Sequence, residues 1–217
     1  FIFAGNADSE TIYLKDIKRE SFWGGSKEYL LNPFNYGEYK VEVLDKASGS
    51  IVYSKGFCTL FEEWQTTSEA NSRNKAFYQS VVVPYPKNKV LLNVYSRNWD
   101  GDFIQVYQLE INPEDYFINP ETSDFEHKKI VDHGDPSEKV DLVFIAEGYT
   151  AIEMDKFEQD SKRFIDFLFT QKPFDQYKQN FNIWIVKSVS EESGTDIPGE
   201  GIYKNTAVNS NFYTFDS

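Results

Sequence analysis

The chain has 217 residues, of which 40% are hydrophobic, 17% aromatic and 26% charged. This composition excludes a disordered chain, because disordered segments lack the aromatic side chains that fill a core. The net charge of −13, from 35 acidic and 22 basic residues, argues against a nucleic-acid partner, since phosphate contacts require a clustered basic surface. No apolar stretch approaches the roughly 20 residues that cross a bilayer, so no membrane span is expected.

Short strands separated by turns are predicted from the start of the chain to residue 112. In residues 39–45, Tyr39, Val41 and Val43 alternate with polar side chains, which is the period of two of a half-buried strand. A turn at 46–50 predicts a hairpin with the next strand. The later predicted strands are 51–54, 77–83, 90–96 and 103–111. This spacing predicts an antiparallel β-sandwich over residues 1–112, of the broad immunoglobulin-like kind.

Isolated cysteine and tryptophan residues of this region have simple expected roles. Cys58 is the single cysteine; it cannot form an internal disulfide and is expected to be a small buried hydrophobe. Phe22, Trp23 and Trp99 lie next to turn residues, where we expect them to fill the core or plug loops. A sugar-stacking platform is the lesser alternative.

Residues 113–136 are predicted to be a linker. They contain three prolines, many acidic residues and both histidines of the chain, with one short strand indicated at 129–131. A metal site that combines His127 and His133 with neighbouring aspartates is conceivable. Solvated side chains are the simpler interpretation of this spacing.

A change of period after residue 136 predicts a second, α/β domain over residues 137–217. Residues 140–146 are almost continuously apolar, which is typical of a strand covered on both faces of a largely parallel sheet. Thr150 and Glu153 form a capping box, and apolar residues at helical spacing predict a helix of about five turns. A second strand is predicted at 181–188. One strand–helix–strand unit cannot close a covered sheet, so we expect the domain to continue beyond the chain.

Polar residues follow both predicted parallel strands, at the sheet edge where α/β domains place ligand-contacting loops. Glu147 and Tyr149 follow the first strand, and Ser190, Ser193 and Asp196 lie after the second. We expect these five residues to form a cleft rim. The alternatives are a surface loop with capping serines, calcium bound by the carboxylates of residues 191–200, and Glu147 as a general acid or base.

Several sequence blocks of the second half occur together in one known family. Residues 140–150 (VDLVFIAEGYT), 172–174 (KPF), 181–183 (FNI) and 190–194 (SEESG) resemble the start of the catalytic domain of the IgA-peptidase-type zinc metallopeptidases of gut bacteria. The first half is similar to the sandwich domain that precedes it. The resemblance implies a β-sandwich followed by an incomplete α/β zincin-like domain. It also implies a secreted, cell-surface or periplasmic zinc endopeptidase that acts on protein or peptide substrates.

The zinc motif of that family is missing from these residues. No His-Glu-x-x-His sequence occurs in the chain, so the resemblance assigns no catalytic or zinc-binding residue here, and zinc is expected in the full-length protein only. We therefore expect the chain alone to be inactive, with its uncovered apolar faces able to form a homodimer. The alternative function is a non-catalytic surface module that binds glycan or protein through the sandwich.

Overall fold

The computed structural model describes residues 1–120 and 125–212. It divides the chain into two compact units, Phe1–Thr122 and Ser123–Ser217, and each unit has its own hydrophobic core. Within the described ranges no helix is both long enough and apolar enough to cross a membrane.

The first unit consists mainly of short strands. Its described elements are β1 (Ile2–Asn6), β2 (Ser9–Tyr13), β3 (Ile17–Arg19), β4 (Tyr39–Asp45), β5 (Ile51–Phe57), α1 (Leu60–Gln65), β6 (Lys75–Tyr78), β7 (Val90–Arg97), β8 (Phe103–Ile111) and β9 (Ile118–Pro120). One antiparallel sheet has the order β5-β4-β7-β8 and a second the order β2-β1-β6, while β3 and β9 pair in parallel.

The two antiparallel sheets share one core. Tyr39, Val41 and Val43 are buried at alternating positions of β4, as the pattern predicts. Phe3 of β1, in the other sheet, meets the Tyr39 ring edge-on with 5.0 Å between centroids, and Ile12 of β2 lies in the same cluster. Because the inward faces of both sheets contribute to this cluster, the predicted β-sandwich is confirmed.

Cys58 is exposed, so the expectation that it is buried is wrong. It lies between the end of β5 and the N-cap of α1, where Thr59 Oγ1 accepts the Glu62 N–H at 3.0 Å. Phe61 and Trp64 are the residues of α1 that are buried. The apolar side chains of the helix therefore cover this part of the core, and the thiol does not.

The tryptophans at turns differ from each other in environment. Trp23 packs edge-on against Tyr53, with 5.9 Å between ring centroids, and donates its Nε1–H to Ser26 O at 3.0 Å. It is thus a loop residue that plugs the core, as expected. Trp99 is fully exposed.

The second unit is a strand–helix–strand arrangement with one added strand. Its described elements are β10 (Glu126–Val131), β11 (Val140–Ile145), α2 (Met154–Leu168) and β12 (Phe181–Lys187). The sheet has the order β10-β12-β11; β11 and β12 are parallel and β10 is antiparallel to β12. This confirms the predicted α/β unit.

Helix α2 begins where the capping box predicts. Both reciprocal bonds between Thr150 and Glu153 are present, and a 3₁₀ turn at Ala151–Glu153 leads into the α-helix. Phe157 and Ile165 of the helix are buried, and Phe157 joins the core cluster with Ile185 of the sheet. One face of the sheet is therefore covered by α2.

The other face of β11 is open, which corrects the expectation that this strand is covered on both faces. Val143 and Ile145 remain 48% and 56% exposed. Leu142 and Phe144, at the alternate positions, are partly buried. An apolar run in the sequence shows that both faces can be covered, but it does not specify the partner that covers them.

The segment 113–136, expected as a linker, contains paired strands. β9 pairs with β3 of the first unit, and β10 pairs with β12 of the second. Both pairings join residues far apart in sequence, which a local reading of composition does not detect. The units meet at residues 122 and 123, near the middle of that segment.

Candidate functional site

The carboxyl ends of β11 and β12 bring two loops to one edge of the second unit. The first loop, 146–150, leads from β11 to α2, and the second, 188–196, follows β12. A further stretch, residues 204–212, which we call the 204–212 segment, is bonded to both loops. The predicted rim residues thus lie at one edge, as parallel strands require.

Glu147 binds the 204–212 segment through both carboxylate oxygens. Oε1 accepts from Thr206 Oγ1 and from the Ser210 N–H at 2.9 Å, and Oε2 accepts from the Val208 N–H at 3.0 Å. Partial burial by itself would raise the pKa of Glu147. The hydrogen bonds from Thr206, Ser210 and Val208 outweigh it and lower the pKa to about 2.

This environment decides the chemistry that is open to Glu147. A carboxylate with a pKa of about 2, whose two oxygens already accept hydrogen bonds, is a poor proton acceptor near neutral pH. Glu147 is therefore a fixed anionic acceptor that orders main chain. The alternative role as a general acid or base is not supported by this geometry.

Ser190 connects the same three stretches of chain. Its buried Oγ accepts the Gly148 N–H and the Ala207 N–H, each at 3.0 Å. Its own N–H donates to Tyr149 O at 2.9 Å. A single hydroxyl group thus ties the first loop to the 204–212 segment.

Gly148 and Gly194 let the two loops approach closely. The Gly194 N–H donates to Gly148 O at 2.9 Å. Gly148 has φ +70°, and a Cβ placed there would overlap the carbonyl oxygen of Gly194. The loop contact therefore depends on glycine at position 148.

Ser193 and Asp196 are bonded into this edge by different partners. Ser193 Oγ donates to Glu153 Oε1 at 3.0 Å, which links the second loop to the capping box of α2. Asp196 Oδ1 accepts the Lys204 N–H at 2.5 Å, and the Asp196 carbonyl accepts the Phe212 N–H at 2.9 Å. Both residues fix loop structure.

Tyr149 is turned toward the helix. Its hydroxyl donates to Asp160 Oδ2 at 3.0 Å, and its ring packs on Phe157 with 5.3 Å between centroids. Burial, followed by the Asp160 contact, raises the pKa of the phenol. Of the five predicted rim residues, the structure brings Glu147, Ser190, Ser193 and Asp196 into the loop contacts, while the Tyr149 ring packs against α2.

The metal alternatives find no support in the residues described. Glu191 and Glu192 accept from the Asn205 side chain at 2.6 Å and the Asn205 N–H at 2.7 Å. His127 Nδ1 lies 3.1 Å from Phe125 O, and His133 Nδ1 lies 2.7 Å from Phe181 O. Throughout 1–120 and 125–212, no group of three or more His, Cys, Asp or Glu side chains could hold a metal ion.

Sequence reasoning missed the donors on the 204–212 segment. Asn205, Thr206, Val208 and Ser210 supply the hydrogen bonds to the two loops. Two of these bonds come from the main chain, which carries no residue-specific signal. The one available signal was the run of Asn, Thr and Ser within 205–211, which favours side-chain and main-chain hydrogen bonding over regular structure.

Loops assembled at the carboxyl edge of parallel strands are how α/β domains build sites for ligands. Together with the sandwich before it, this edge defines a two-unit protein whose second unit has an enzyme-type scaffold. A family model for the N-terminal region of M64 peptidases matches residues 1–108, and one for the IgA peptidase M64 domain matches residues 129–217. The chain belongs to this M64 peptidase family, which confirms the resemblance seen in the sequence. A comparison with curated proteins gave no match.

M64 peptidases are in general zinc metallopeptidases. Protein-bound zinc needs three or four Cys, His or carboxylate ligands close together. The described part of this chain offers no such group, and its histidine rings face main-chain oxygens. These residues do not fit a zinc ion.

Proposed function

We propose that the chain is the N-terminal portion of a secreted or surface-attached zinc-dependent endopeptidase, and that these 217 residues are inactive alone. The observation that carries this proposal is the consecutive match of two models of one peptidase family, on residues 1–108 and 129–217. Their order agrees with the order of the sandwich and the α/β unit.

The zinc-binding residues of this peptidase are assigned to the parent protein outside this chain. When bound, zinc polarises the scissile carbonyl and lowers the pKa of its water. The sequence contains two histidines and no His-Glu-x-x-His motif. The fit of the described residues to zinc is equally poor.

The role proposed for the carboxyl edge is one wall of a cleft for a protein or peptide substrate. Glu147 and Ser190 hold the main chain of the 204–212 segment in place. Val208 and Phe212 of the same segment, and Tyr203 just before it, keep their side chains exposed. Ordered main chain that presents apolar side chains suits contact with an extended peptide.

An exported location is part of the same proposal: secreted, cell-surface or periplasmic. Its support is the resemblance to exported peptidases and the acidic, solubilising net charge of −13. Immunoblots of cell fractions from the source organism, with a cytoplasmic enzyme as the marker, test this. Confinement of the parent protein to the cytoplasmic fraction would overturn it.

The parent reading frame provides the sharpest test of the peptidase function. We expect a His-Glu-x-x-His sequence in it, and expect the parent protein to bind zinc and to cleave unstructured protein substrates. Replacing the motif glutamate with alanine should abolish cleavage and leave zinc bound, which separates catalysis from folding. A parent frame without this motif would refute the proposal.

The isolated chain gives an independent readout. Elemental analysis of the purified 217 residues should find no stoichiometric zinc, and incubation with the same substrates should give no cleavage. One tightly bound zinc ion per chain, or cleavage that is sensitive to a chelator, would show that the assignment of zinc to other residues is wrong.

A further inference from the structure

An exposed pair of aromatic rings lies on the loop before β4, in the first unit. Phe34 and Tyr36 are stacked, with 5.3 Å between ring centroids and 8° between ring planes. Their residues are 67% and 71% exposed. Two nearly parallel rings therefore present flat apolar surfaces to solvent.

The main chain that carries these rings is held firmly. Arg97 donates from Nη2 to Asn35 O and from Nε to Gly37 O, the latter at 3.0 Å. Asn35 has φ +51° and Gly37 has φ +95°. A Cβ at Gly37 would lie only 2.6 Å from Phe57 O of β5. Left-handed residues on both sides of Tyr36 are thus fixed by a guanidinium group and by close packing on a strand.

The same guanidinium group fixes a second loop with an exposed aromatic ring. Arg97 Nη1 donates to Gly101 O at 2.9 Å, in the turn that joins β7 to β8. Asn98 closes this turn, because its Oδ1 accepts the Asp102 N–H at 2.8 Å. Trp99, inside the turn, is fully exposed. One arginine therefore places two aromatic loops at the same end of the sandwich.

We propose that this end of the sandwich, formed by Phe34, Tyr36 and Trp99, is a binding site for a neutral glycan. Flat, exposed rings on a preorganised main chain suit the apolar face of a sugar ring, since little ordering is left to be done on binding. The turn also carries Asp100 and Asp102, exposed carboxylates that accept hydrogen bonds from hydroxyl groups.

Charge favours a neutral ligand over an acidic one. The chain has a net charge of −13, and the carboxylates of Asp100 and Asp102 add negative charge beside the rings. A polyanion such as a sulfated glycan would be repelled from this end. The site thus differs in place and in ligand from the cleft wall of the second unit.

The test is binding of the intact 217-residue chain to an array of neutral glycans, followed by titration of the best ligand. We expect at least one neutral glycan to bind and heparin to show no binding. Phe34→Ala, Tyr36→Ala and Trp99→Ala should each weaken binding about five- to tenfold. Their melting temperatures should stay close to that of the native chain, because all three rings are exposed.

Tyr116→Ala is the matched control. Tyr116 is similarly exposed, but it follows the far end of β8, whose nine residues extend ~30 Å away from Phe103 and Arg97. This variant should bind as the native chain does. Absence of binding to every neutral glycan, or equal loss of binding in Tyr116→Ala, would overturn the proposal. Neither outcome bears on the peptidase function, which this assay does not measure.

Discussion

Ser210 donates its main-chain N–H to Glu147 Oε1 over 2.9 Å, across a sequence separation of 63 residues. The same carboxylate accepts from Thr206 and Val208. The 204–212 segment has little regular structure of its own, so its position depends on this acceptor. Glu147 thus orders a part of the chain that local sequence preference leaves undefined.

Replacing Glu147 with glutamine should lower the free energy of unfolding by about 1–3 kcal/mol at pH 7. The amide keeps one acceptor oxygen but places an NH₂ donor opposite an N–H or hydroxyl donor. Urea denaturation followed by tryptophan fluorescence measures the effect. Glu200→Gln, at an exposed position of the neighbouring loop, is the control and should change stability by less than about 0.5 kcal/mol. Equal effects of the two substitutions would contradict the role given to Glu147.

The pH dependence of stability should carry the same signature. The pKa of Glu147 is lowered from 4.5 to about 2 in the folded chain, so its contribution is fully present above pH 4.5. It is lost as the pH falls from there toward 2, where the folded carboxylate becomes protonated. The stability difference between the native chain and Glu147→Gln should therefore shrink across this range. A difference that stays constant from pH 7 to pH 2 would show that ionisation of Glu147 does not matter.

Two glycines with the same backbone conformation allow a paired test of the loop contact. Gly148 and Gly201 both have φ +70°, but a Cβ meets the Gly194 carbonyl at the first position and open space at the second. Gly201→Ala should cost about 1 kcal/mol, the strain of a left-handed alanine. Gly148→Ala should cost clearly more, because the loops must also separate. Equal losses in thermal denaturation would mean that the close approach of the loops adds nothing to stability.

The strands that the sequence predicts best are those with a strict alternation or a continuous apolar run. The predicted bounds 39–45 and 103–111 agree with β4 and β8, and 181–188 differs from β12 by one residue. β2, β3 and β9 were missed, since three- to five-residue strands at Ser9–Tyr13, Ile17–Arg19 and Ile118–Pro120 depend on pairing with distant residues. Short-range patterns contain little information on such pairings.

The candidate site was predictable in place but not in chemistry. Parallel strands put Glu147 and Ser190 at one edge, and this followed from strand order alone. Their partners could not be foreseen, because Val208 and Ser210 donate main-chain N–H groups. A carboxylate that the sequence presents as free for catalysis is thus fully occupied in the folded chain.

The two units should differ in their ability to fold alone. In the described residues, the core of the first unit contains 13 buried side chains and that of the second only three. A chain of residues 1–122 should therefore melt cooperatively, while residues 123–217 should show a broad, weak transition. Circular dichroism and differential scanning calorimetry of the two pieces measure this. A sharp melt of 123–217 would show that its small core is sufficient.

The open side of β11 should mediate self-association of the isolated chain. Among the strands described, β11 pairs with β12 only, and Val143 and Ile145 are exposed on one face. On the other face, Phe164 of α2 packs against Phe144 yet stays half exposed. An unpaired strand edge flanked by apolar side chains favours pairing with a further strand, and we propose that a second copy supplies it.

Sedimentation velocity at increasing concentration tests this homodimer. We expect the native chain to shift from monomer to dimer in the micromolar range, and Val143→Lys to remain monomeric, because a lysine beside the strand edge opposes pairing. Val82→Lys is the control, since Val82 is similarly exposed but lies outside every described strand. A native chain that stays monomeric at high concentration, or an equal effect of both lysines, would exclude β11 as the contact.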